Sequence, residues 1–148
     1  MHFDSVDLRI LVENVFATTL DMNVVPAIAD ADWPPRRAAI TIHGPWSGRV
    51  VVATTDKVLR ATVASMCCVH PHECRVSDLS DALLELTNML GGSVKALLPD
   101  ACRLGIPTTL THAPTEEFDV DRAFRCDGEP LRLWIAEDAM QPAAAPRS

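Results

Sequence analysis

A carboxylate and a carboxamide three residues apart, Glu85 and Asn88, stand inside a long helix-forming stretch that runs from Ser77 to about Leu98. At about 100° per residue this spacing puts both on one helix face, with Asp81 one turn before Glu85. A carboxamide offers a donor and an acceptor and can orient a water, while a carboxylate beside it can clasp a partner's cation. Asp78, Gly92 and Lys95 share the stripe, and Leu79, Leu83, Leu86, Leu90, Val94 and Leu97 form the opposite, core-facing one. Gly91 and Gly92 each cost about 1 kcal/mol relative to Ala in a helix interior. Two in a row imply that another surface approaches the helix closely beside Asn88. As a bare pattern, the same stripe also suits an ordinary solvated face.

Three other groups invite a chemical reading. Gly44-Pro45-Trp46-Ser47-Gly48 lacks the Gly-x-Ser-x-Gly spacing of a nucleophile elbow and precedes a strand rather than a helix, so a turn is the better reading. Cys67, Cys68, His70, His72 and Cys74 are soft ligands that could converge on zinc. Structural zinc sites usually pair two ligand clusters across a spacer, and no second cluster follows, so no metal is expected. Cys67 and Cys68 can instead complete the apolar face of the preceding helix. His2, His43 and His112 stand alone, without a Cys, Ser or carboxylate at motif spacing.

The elements that must position these groups follow from periodicity. Residues 5–20 predict a first helix through Val6, Ile10, Leu11, Val15 and Leu20. Val24–Ile28 is a short strand that Pro26 confines to an edge. Ala38–His43 and Arg49–Thr54 form a hairpin around the Gly44–Gly48 turn, and Asp56–Met66 forms a second helix. Ser77 caps the third helix and Pro99 stops it. Arg103–Thr111 is a strand that Pro107 makes bulged or peripheral. Val120–Cys126 and Leu131–Ala136 form a closing hairpin, whose last strand is the unguarded edge available for pairing. The order is α-β-β-β-α-α-β-β-β, an α+β fold with three helices packed on one face of a mainly antiparallel sheet.

The 148 residues suit one domain over residues 1–140, followed by a flexible tail at 141–148 rich in Pro and Ala. Thirteen basic residues against 20 acidic ones give a net charge of −7, which repels nucleic acid and anionic lipid. With no Tyr, three Trp and four Phe, the chain lacks the rings of a base-stacking surface. No run is long enough for a membrane helix, the acidic start is unlike a secretory signal, and five cysteines fit a reducing compartment. The expected location is cytoplasmic.

Asp81-x-x-x-Glu85-x-x-Asn88, continuing Met89-Leu90-Gly91-Gly92 and followed by Gly105-Ile106-Pro107, resembles the signature of the CheC/CheX/FliY family of chemotaxis phosphatases, closest to its CheX-like branch. The element order over roughly residues 4–137 is similar too. The resemblance implies a phosphatase that dephosphorylates the phosphoaspartate of a CheY-like response regulator. Asn88 would orient the attacking water and Glu85 would anchor a receiver lysine, with Asp81, Gly91 and Gly92 at the partner surface. It implies no cofactor of the chain's own, the Mg²⁺ being supplied by the receiver. The first helix reads Arg9-x-x-x-Glu13-x-x-Phe16, with Phe in place of the Asn, which implies one site per chain. Ser93 stands where relatives often carry a second Asn. The branch also implies a homodimer. The alternative is a non-enzymatic interaction module of the same fold.

Overall fold

The computed structural model describes residues 3–67 and 70–138. His2, Cys68 and the tail at 141–148 lie outside them. Helices α1 (Ser5–Asn14), α2 (Asp56–Cys67) and α3 (Val76–Lys95) cover one face of a sheet built from β1 (Val24–Ala27), β2 (Arg36–His43), β3 (Gly48–Thr54), β4 (Arg103–Leu104), β5 (Thr108–Leu110), β6 (Val120–Cys126) and β7 (Glu129–Glu137). All strand pairs are antiparallel, in the order β1-β6-β7-β3-β2-β4, with β5 also paired to β2. The fold is α+β, as expected.

Helix α1 starts at Asp4, whose carboxylate accepts the Val6 N–H at 2.8 Å. It buries Leu8, Leu11 and Val12, whereas Val6 and Ile10, expected on the core stripe, are exposed. Leu8, Leu11, Val12 and Val15 are three or four residues apart and form the stripe that meets the core, which turns Val6 and Ile10 outward; a π-helical turn, Val15–Thr19, then ends the helix. That turn carries Phe16 into the core, where it is fully buried. The counterpart of Asn88 on the first helix is therefore a packing residue.

The hairpins obey their turn chemistry. Asp127 and Gly128 both have positive φ, 49° and 86°, which suits a two-residue loop whose twist matches the flanking strands. In the other hairpin Ser47 Oγ accepts the Gly44 N–H and donates to the Gly44 carbonyl, both at 3.2 Å. Its hydroxyl holds a turn, and Trp46 is buried edge-on against Phe3.

The closing strand corrects an expectation. β7 is not an edge but lies between β6 and β3, and Leu131–Ala136 are buried without interruption. Leu131, Leu133 and Ile135 face the helices, while Trp134 and Ala136 join Ala39, Val51, Trp33 and Leu110 on the other face. On that second face Arg132 stacks 4.2 Å above Trp33 and donates two 2.8 Å hydrogen bonds to the Asp121 carboxylate. A strand covered on both faces loses its alternation, so its pattern could not announce a central position. The edges are β1 on one side and β4 with β5 on the other. The expected Arg103–Thr111 strand is split at residues 105–107, since Pro107 has no N–H to give a ladder.

Candidate functional site

Helix α3 is set on the sheet by its apolar stripe. Leu79, Ala82, Leu83, Leu86, Leu90 and Val94 are buried, each Leu or Val side chain contributing about 1.5 to 3 kcal/mol by leaving water and the Ala82 methyl less. Leu97, expected to complete the stripe, is 40% exposed, and Leu98, at 6%, takes its place. The helix has ended at Lys95, so the 3.6-residue period no longer holds there. At the other end Ser77 is not the cap. The first helical residue is Val76, and the Asp78 carboxylate accepts the Arg75 backbone N–H at 2.8 Å.

The glycine pair meets the close surface that its cost implied, and that surface belongs to the chain itself. A β-carbon on Gly91 would stand 2.6 Å from Ile40 Cγ2 on β2 and 3.4 Å from Leu104 on β4. Gly91 is buried, so its close approach is to the sheet. Gly92 is half-buried, and a β-carbon there would meet only Leu104 at 3.8 Å. The sequence offered no sign of Leu104's role beyond its place before Gly105-Ile106-Pro107. Those residues leave β4 directly after this contact with α3 and carry an exposed Ile106.

On the outer face of α3, Asp81 and Glu85 are exposed and Asn88 is half-buried. Among the described residues neither Asp81 nor Glu85 enters an ion pair. Lys95, the cation of the same stripe, is ten residues past Glu85, about 15 Å along the axis and beyond the reach of screened attraction. Thr87, next to Asn88, is buried and returns its hydroxyl to the Leu83 carbonyl at 2.7 Å. The helix thus presents a carboxylate and a carboxamide one turn apart on a rigid, core-anchored element, free to engage groups brought by a partner.

The remaining candidates are dispersed. Among the described residues no group of three or more His, Cys, Asp or Glu side chains is placed to hold a metal. His70 and His72 stack on each other at 4.4 Å, and the His72 N–H donates to His70 Nδ1. Cys67 is exposed rather than part of the buried face of α2, and the half-buried Cys74 lies against the Arg60 carbonyl. His43 and His112 are exposed. No helix among the described residues is long and apolar enough to cross a membrane.

Residues 37–123 match the family model described as chemotaxis phosphatase CheX, a span from β2 into β6 that includes all of α3. The fold is similar to the chemotaxis protein CheX of Vibrio vulnificus, with a TM-score of 0.75 and 14% identity over 90% of this chain and 95% of that one. It is also similar to a CheX of Desulfovibrio desulfuricans, with a TM-score of 0.71 and 18% identity over 90% and 98% of the two chains. A third likeness is to a chain of the CheX–CheY–BeF3–Mg complex of Borrelia burgdorferi, with a TM-score of 0.67 and 10% identity over 92% and 99%. At such identities the likeness is one of fold. A search among curated proteins finds no match.

Proposed function

The chain belongs to the chemotaxis phosphatase CheX family, and on that premise we propose that it hydrolyses the phosphoaspartate of a CheY-like receiver domain. The observation that carries this reading is the placement of Glu85 and Asn88 one turn apart on the outer face of α3, inside the residues that the family model matches. In the proposed reaction the Asn88 carboxamide orients a water toward phosphorus and Glu85 pairs with a receiver lysine. Water attacks, the bond from phosphorus to the aspartyl oxygen breaks, and the receiver recovers its carboxylate as inorganic phosphate leaves. The displaced proton goes to phosphate or solvent. The Mg²⁺ and the acyl phosphate come with the receiver, so α3 contributes positioning and charge, the two effects that dominate phosphoryl transfer. The likeness to a fold solved in complex with CheY supports a receiver as partner.

Asp81 and Gly92 border the same surface, whereas Gly91 serves it from beneath by letting α3 lie close on β2. Were two copies to pair through their sheets, β1 and the β4–β5 side are the strands open to it.

The test is the decay of a radiolabelled phosphorylated receiver with and without the chain. Wild-type protein should accelerate it, and Asn88→Ala should lose on the order of 100-fold or more of that acceleration. Its melting temperature should not fall, since Ala is the better helix former. Decay indifferent to the wild-type chain would make it a non-enzymatic interaction module.

A further inference from the structure

Helices α2 and α3 enclose an open groove of about 270 Å³ beside Glu85. Its floor is apolar, built from Val63 and Met66 of α2 and Ala82 of α3. Met66 is 42% exposed, a large apolar side chain left uncovered. The rim is acidic: Asp78, Asp81 and Glu85 all line it, and none forms an ion pair among the described residues. Cys67, an exposed free thiol, lines it too, and among the described residues no Lys, Arg or His does.

We propose that this α2–α3 groove is the docking slot for a segment of the receiver that combines an apolar side chain with basic ones. Resting on the receiver-phosphatase reading above, the proposal deepens it by assigning partner contacts to α2. Two observations select this occupant. An apolar floor within a wholly acidic rim complements a segment that is apolar on one side and cationic at its margins, and it repels acidic or anionic partners. The groove is also continuous with Glu85, so a partner whose lysine reaches Glu85 is already beside it. Long cationic side chains suit such a slot because their methylene stems can cover Met66 while their charges meet the rim. Docking there would fix the receiver's orientation before Asn88 acts, and would place part of the binding affinity outside the reacting pair.

A CheY-like receiver held active with beryllofluoride and Mg²⁺ is titrated against the wild-type chain, Met66→Ser and Asp81→Lys. Each substitution should raise Kd about tenfold, and Met66→Ser, which lies on α2 away from the reacting pair, should leave kcat for dephosphorylation near the wild-type value. Bound receiver should also slow alkylation of Cys67 by iodoacetamide several-fold, a readout that misfolding of a variant cannot imitate. Unchanged Kd in both variants with Cys67 unprotected would overturn the groove, even where Asn88→Ala abolishes turnover. A receiver that binds with the predicted dependence on Met66 and Asp81 but is not hydrolysed would overturn the catalytic reading and keep the groove. No binding of any receiver would overturn both.

Discussion

Gly91 on α3 lies so close to Ile40 on β2 that a β-carbon at position 91 would stand 2.6 Å from Ile40 Cγ2. This contact sets the height of α3 above the sheet, and with it the plane on which Glu85 and Asn88 are displayed. The neighbouring Gly92 has no such constraint. Gly91→Ala should therefore destabilise by about 1 to 2 kcal/mol, overpacking outweighing the gain in helix propensity. Gly92→Ala should stabilise by up to about 1 kcal/mol. Urea unfolding of the two variants checks the opposite signs, and equal signs would refute this account of the glycine pair.

Glu85→Gln keeps the side-chain volume and removes only the charge. It should weaken binding of a phosphorylated receiver about tenfold at low salt, and the gap from wild type should narrow as salt rises. An affinity insensitive to both substitution and salt would remove Glu85 from the anchoring role.

The Arg132–Asp121 pair, with side chains only 11% and 16% exposed, should matter far more than the exposed Arg9–Glu13 pair at 57% and 36%. Asp121→Ala leaves the Arg132 guanidinium on Trp33 without its counter-charge and should cost about 3 kcal/mol. Glu13→Ala should change stability by no more than about 0.5 kcal/mol. Thermal denaturation of both variants provides the comparison.

Arg36 hydrogen-bonds the Asp56 carboxylate at the start of α2 and holds its pKa below the ordinary 3.8. A carboxyl whose folded pKa is depressed adds stability above its unfolded pKa and loses it as the pH falls through the folded one. Wild type should therefore exceed Asp56→Asn by less than about 1 kcal/mol at neutral pH, the pair being open to solvent. The difference should disappear below the ordinary carboxylate range. A constant difference down to acid pH would place the effect elsewhere.

Burial, followed by the nearby Asp127 charge, pushes the Cys126 thiol up to about 12. It should stay protonated and resist iodoacetamide at pH 8 until the protein unfolds, while exposed Cys67 reacts in the native state. Mass spectrometry of alkylated peptides in native and urea-treated samples distinguishes the two sites.

Local information carried much of the outcome. The period of α3, its outward Glu85 and Asn88, the Asp127-Gly128 turn and the edge role of the Pro26 strand all follow from spacing and backbone chemistry within a few residues. The glycine pair even announced a close approach. What approached was decided by the tertiary structure, because Ile40, which makes the closest contact with Gly91, comes from β2, a strand about fifty residues earlier in the sequence. The same holds for β7: a run buried on both faces reads alike at an edge or at the centre, and only packing between β6 and β3 places it. The groove between α2 and α3 likewise has no local signature, since Met66 and Asp81 line it from two different helices. Sequence by itself determined which residues face outward on one helix, because a helix repeats every few residues. Tertiary structure decided what they face, because contacts between distant elements depend on how whole surfaces fit.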